Sequence, residues 1–260
     1  MLKVRHILYF VIGIPAFILL VWLFAVPENL LRERIEDAIS NAGQSNITTS
    51  LKGFKKGLFL TVHADSLDLD FNSLPALTIT NLAGCLNPRY LIKKQLAFSF
   101  KGKMGTGDIS GLLRYPADGE IKIEKTEWNA VPYLTHFGIK TNGFISADIL
   151  LKNKSAQITF RIPDLDLQGS TLIIPFINSF HKVHGALSVT GNDIKLDSVS
   201  LEGDKGYARL KGDIRNNIMD LRLELMPNID KLNTIESMLI GNYIVSPGYY
   251  AIPIKGPMNY

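Results

Sequence analysis

From Ile47 onward, apolar residues return at every second position, and this period of two constrains the fold more than any other feature. Leu67, Leu69 and Phe71 alternate with Asp68 and Asp70; Phe98 and Phe100 with Ser99 and Lys101; Ile121 and Ile123 with Lys122 and Glu124. Ile145, Ala147, Ile149 and Leu151 repeat the pattern, as do Ile158, Phe160 and Ile162, and later Met219, Leu221, Leu223 and Leu225. Successive side chains of a strand point to opposite faces, so these runs predict antiparallel strands with one buried and one wet face. The expected fold is mainly β: a curved antiparallel sheet, closed as a sandwich or left as an open groove, with a few short helices. The candidate lining of that core or groove is Leu67, Leu69, Phe98, Phe100, Ile121, Ile123, Ile158, Phe160, Leu196, Leu210, Leu221 and Leu223.

Several runs change parity without a turn. Ile162 is followed by Leu165 and Leu167, and Leu196 by Val199 and Leu201. Such a switch predicts a bulge or bend that re-aims the strand. The stretch from Asp193 to Ile214 then reads as two strands, bent between Leu196 and Val199 and joined by a turn from Gly203 to Gly206. Short helices are expected over Ala130–Phe137 and Ile229–Leu239, and a turn or single helical turn over Asn87–Lys94. In the second, Leu232, Ile235 and Leu239 fall on one face, with Lys231 and Glu236 left to water.

The N-terminal segment differs. Ile7 to Val26 has no charged residue, and a bilayer-spanning helix needs about 20 apolar residues. Ile7, Phe10, Ile14, Phe17, Leu20 and Trp22 are its candidate anchor residues. Lys3 and Arg5 precede it, which places the N-terminus in the cytoplasm and the bulk of the chain outside. A cleaved signal peptide has a shorter apolar region ending in small residues; here the run is long, and Pro27 follows Val26. Pro27 suits the first turn of a new helix. Leu31, Ile35, Ala38, Ile39 and Ala42 recur at helical spacing, and Gly43 suits a C-terminal cap. The chain therefore reads as a cytoplasmic tail (1–6), a transmembrane helix (7–26), a juxtamembrane amphipathic helix (27–43) and a β domain (44–260).

Order and content of these pieces resemble a known family. The N-terminal apolar run leads to "LRERIEDAISNAG" and "KGLFLTVHADSLDLDF", then to "LTITNLAGCLNPRYLIKKQLAFSFKGKMGTGDISGLL". Later come "VHGALSVTGNDIKLDSVSLEGDKGYARLKGDI", "LRLELMP" and "AIPIKGPMN". The layout resembles the type II secretion system protein N family and, more distantly, the AsmA-like proteins of the bacterial envelope. The first resemblance implies a single-pass inner-membrane protein with a periplasmic β domain, partnered by other secretion-system or envelope subunits. The second implies a lipid partner carried on an apolar β groove. Neither implies catalytic residues.

The residues themselves point away from catalysis and from cofactors. Asp65, Asp68 and Asp70 lack the glycine and terminal Glu of a calcium loop, and fit a wet strand face. Asp164 and Asp166 fit the same reading. His181 and His184 have helical metal spacing, but no third ligand lies nearby, so a turn with two exposed histidines is expected. "GKMGTGDISG" (Gly102–Gly111) is flanked by strands, whereas a phosphate loop opens into a helix; a β-turn is expected. Charge gives no nucleic-acid footprint: the net is +4, and only +2 without Lys3 and Arg5. The one cysteine, Cys85, has no intrachain partner for a disulfide and is expected to be a small buried residue.

Overall fold

The computed structural model describes residues 13–14, 16–42, 47–71, 73–91, 93, 95–115, 118–132, 143–153, 155–165, 177–191 and 193–257. They form one large antiparallel sheet of fifteen strands. The strands are β1 (Ile47–Lys52), β2 (Lys55–Lys56), β3 (Thr61–Phe71), β4 (Leu74–Leu86), β5 (Ala97–Met104), β6 (Gly107–Arg114), β7 (Asp118–Glu127) and β8 (Phe144–Lys152). They continue with β9 (Ser155–Ile162), β10 (Phe180–Thr190), β11 (Asp193–Gly203), β12 (Gly206–Arg215), β13 (Ile218–Pro227), β14 (Ile244–Ser246) and β15 (Tyr249–Pro257). They are accompanied by the helices α1 (Glu28–Ala42), α2 (Pro88–Leu91) and α3 (Thr234–Gly241). All described strands belong to one hydrogen-bonded sheet. The chain divides into two compact units, Met1–Lys103 and Met104–Tyr260.

In the first unit β3 lies between β1 and β4, β5 follows β4, and the short β2 pairs with the start of β3. Helix α1 follows Pro27 as expected and packs against β1. The backbone N–H of Leu51 donates to the Glu36 carboxylate of α1 at 2.7 Å. An edge strand presents unpaired backbone groups, and here the helix supplies one acceptor. Residues 13, 14 and 16–20 are helical and run into a π-helical turn, Val21–Ala25. Ile7, Phe10 and Pro15 of the expected transmembrane run lie outside the described residues. Among the described residues no helix is long and apolar enough to cross a membrane. Ile14, Phe17 and Leu20 are exposed, while Trp22 is half-buried.

The candidate lining is not continuous through this unit. Leu67 pairs with Leu51 and Ile79, and Leu69 with Thr49 and Leu77. Phe100 instead pairs with Gly84, which pairs with Val62, and Phe98 pairs with Leu86. Buried Ala64 and buried Leu67 are an odd number of positions apart on β3, so they take opposite faces. Asn81 on β4 has a positive φ of 51°, beside this change. The structure therefore separates Leu67 and Leu69 from Phe98 and Phe100. Cys85 is half-buried rather than buried, with its sulfur 3.2 Å from Ser99 Oγ.

The second unit is a meander: β6 to β13 neighbour one another in chain order, β15 pairs with β13, and β14 lies outside β15. The bulge between Leu196 and Val199 is present, and Gly203 pairs with Gly206 across the expected turn. Gly105 and Thr106 make the expected turn between β5 and β6. Trp128–Ala130 is a 3₁₀ turn, and residues 133–137 of the expected helix there lie outside the described residues. The helix expected over Ile229–Leu239 is split into a 3₁₀ turn, Ile229–Lys231, and α3. His181 and His184 lie within β10 rather than in a turn, with a bulge at His181.

Candidate functional site

Register in the second unit aligns the alternating apolar positions into rows running across the strands. One row reads Ile109, Ile123, Ala147, Phe160, Gly185, Val199, Leu210, Leu223 and Ile252, each paired with the next. The adjacent row reads Gly111, Ile121, Ile149, Ile158, Leu187, Leu196, Gly212, Leu221 and Ile254. Ile121, Ile123, Ile158, Phe160, Leu196, Leu210, Leu221 and Leu223 of the candidate lining thus meet on one sheet face. Gly185 makes room for this packing, because a Cβ there would lie 2.8 Å from the Phe160 ring. Gly212 takes φ 135° beyond the β11 bulge, where a Cβ would meet the Asp220 carbonyl oxygen at 2.3 Å.

This face is closed at one end and open at the other. At the closed end Ile162, Val183, Leu201, Ala208, Leu225 and Tyr250 form a further row. Trp128, Leu165 and Phe180 pack with it, and so does Ile240 from α3; Leu225, Ala208 and Ile240 are fully buried. Phe160, Val199 and Leu210 lie against this cluster. Ile121, Ile149, Ile158, Leu187 and Leu196 stand outside it and are half-buried, whereas the same row ends in buried Leu221 and in Ile254, which lies against the cluster. Beyond them, Leu151, Val189, Ile194, Ile214 and Met219 are also half-buried. Periodicity located the face; it did not show that exposure rises from one end to the other, because that depends on Trp128, Leu165 and Ile240, which lie outside the alternating runs.

Helix α3 is held over the closed end by polar groups at its start. The Asn233 side chain accepts from the Glu236 backbone N–H at 2.8 Å, and Glu236 accepts from the Asn233 N–H at 2.9 Å. This reciprocal pair satisfies two donors that a helix start leaves unpaired. Glu236 also meets Lys205 Nζ, from the β11–β12 turn, at 2.5 Å. Lys205 chiefly, then the Asn233 N–H, lowers the Glu236 pKa. Glu236 is therefore a docking residue rather than a solvated one. Its helix buries Ile240 and leaves Ile235, Met238 and Leu239 exposed, the reverse of the expected face for Ile235 and Leu239.

On the wet face of the same strands the charges are paired. Lys195 meets Asp197 at 3.1 Å, Lys255 meets Asp220 at 3.1 Å, and Lys211 meets Glu224 at 2.5 Å. Lys195, Asp197, Lys211, Asp220 and Lys255 border a shallow depression between β11 and β15. Glu224 is itself buried. Burial pushes its pKa up, but the hydrogen bonds from Lys211 and Tyr249 and the charges of Lys211 and Arg209 outweigh this and hold it below the ordinary value. In the first unit Asp68 is tied to Lys52 at 2.8 Å and to the Thr78 hydroxyl at 3.0 Å. Among the described residues no group of three or more His, Cys, Asp or Glu side chains is placed to hold a metal ion. The chain matches no family model, no curated protein and no solved structure.

Proposed function

We propose that this chain is an inner-membrane-anchored, periplasmic envelope protein that works by binding, with the open rows of its sheet face receiving acyl chains. The observation that carries the reading is that Ile121, Ile149, Ile158, Leu187 and Leu196, in one unbroken row, stand outside the buried cluster and are only half-buried. Single exposed apolar residues are ordinary on a protein surface, whereas a contiguous patch marks a binding site. The row offers no charge, so an acyl chain fits it better than a polar ligand. The uncharged run from Ile7 to Val26 supplies the anchor. Exposure of Phe17 (66%) and Phe24 (83%) supports placing that helix in lipid. Crosslinking from this row in membranes tests the reading, through lipid adducts.

A second reading has its own observation. Strand β14 ends the sheet, and all three of its residues are exposed, including Ile244 (59%) and Val245 (63%). A free edge of this kind accepts a strand from another protein. The resemblance to the type II secretion system protein N family makes that partner a secretion-system subunit, and this chain an accessory component of the apparatus. A photoreactive residue at Val245 tests it: adducts to secretion subunits are expected, and the absence of any protein adduct from this edge in intact cells contradicts it.

A further inference from the structure

Residues 57–60 form the tip between β2 and β3, and three of their features are unusual together. Leu58 and Phe59 are 59% and 73% exposed. Phe59 and Leu60 both take positive φ, 55° and 60°, a conformation that bulky residues rarely adopt. The tip is also fastened to the end of the apolar helix. Trp22 Nε1 donates to the Gly57 carbonyl at 3.0 Å. Lys56 Nζ donates to the carbonyls of Trp22 (2.9 Å), Leu23 (3.2 Å) and Val26, and sits over the Trp22 ring at 5.7 Å. The Lys56 backbone N–H donates to Glu28 of α1 at 3.1 Å.

A helix end leaves carbonyls without intrahelical partners, and one ammonium here satisfies three of them. The strained, greasy tip is thereby fixed beside the residues where the apolar run ends. Tryptophan and snorkelling lysine are the side chains that favour the headgroup level. Exposed Lys55 stands at the base of the tip and suits anionic headgroups.

We propose that Leu58 and Phe59 are a second membrane contact, dipping into the boundary between headgroups and acyl chains beside the anchor. The occupant is the bilayer surface, because the helix that holds the tip is itself apolar and exposed through Phe24. This rests on the reading of that helix as a membrane anchor. The contact fixes the start of β3 at the lipid surface, where a single helix would let the sheet swivel.

Full-length protein in vesicles of phosphatidylcholine and phosphatidylglycerol tests it. In a Cys85→Ser background, Phe59→Cys, Phe24→Cys and Ser73→Cys are made singly and labelled with bimane. Lipids bearing a nitroxide near the top of the acyl chain are the quencher. Ser73 follows the far end of β3, about 35 Å along the strand at roughly 3.3 Å per residue. Strong quenching at positions 24 and 59, with position 73 unaffected, is expected. Quenching at 24 without quenching at 59 overturns the tip contact and leaves the anchor standing. No quenching at either overturns both, and equal quenching at 73 shows adsorption of the whole unit and overturns the specific contact. Leu58→Cys repeats the measurement should Phe59→Cys lower the yield of folded protein.

Discussion

Glu224 is the sharpest single residue on the wet face. It is 4% exposed, with Lys211 as its ion pair and Tyr249 as a second donor. Its pKa is held below 4.5, so the folded state binds the proton more weakly than the unfolded chain does. The stabilisation is therefore present above the ordinary carboxylate range and is lost as pH falls through the lowered value. Glu224→Gln is expected to cost about 1–3 kcal/mol at pH 7 by removing a charge-assisted hydrogen bond. The gap between the two proteins should close as urea midpoints are followed below about pH 4.5. An unchanged gap down to pH 3 contradicts this assignment. Nothing in the alternation of Asp220, Arg222 and Glu224 distinguishes the third from the other two. The difference arises from Lys211 and Arg209 on β12 and Tyr249 on β15, which only the register brings beside it.

At the scale of elements, strands and turns were the legible part. Alternation, glycines and parity switches located β7, β9 and β13, the bulge at Leu196 and the turn at Gly203, because each depends on neighbours in sequence. Helix α3 was only half legible. Apolar residues occur all round it, so Ile235 and Leu239 looked as suitable for burial as Ile240. The Asn233 cap sets its start at Thr234, five residues later than the pattern implied, and the Lys205–Glu236 pair sets which side faces the sheet. Ile240→Ala is expected to cost about 2–5 kcal/mol, as for other large-to-small changes at fully buried sites. Asn233→Ala should cost about 1 kcal/mol through the cap. Denaturant midpoints check both; an Ile240→Ala protein as stable as the parent means α3 does not close the end of the face. The parity change between Ala64 and Leu67 was hidden for a different reason. Leu67, Leu69 and Phe71 alternate perfectly among themselves, and the register to β4 and β5 is needed to see that Phe98 and Phe100 continue another row.

For the whole molecule, alternation was compatible with a dry sandwich and with an open face. The described strands form one hydrogen-bonded sheet, and in the second unit its rows grade from fully buried to half-buried. A closed core would bury Ile158, Leu187 and Leu196 as completely as Leu225. The most direct test of acyl-chain binding compares these two ends of one face. A photoreactive residue is placed at Leu187 or Leu196, and separately at Leu225, in the full chain in its native membrane. The account predicts lipid adducts from positions 187 and 196, and adducts to this chain alone from position 225. If positions 187 and 196 yield only adducts within this chain, the face is covered and the lipid reading is wrong.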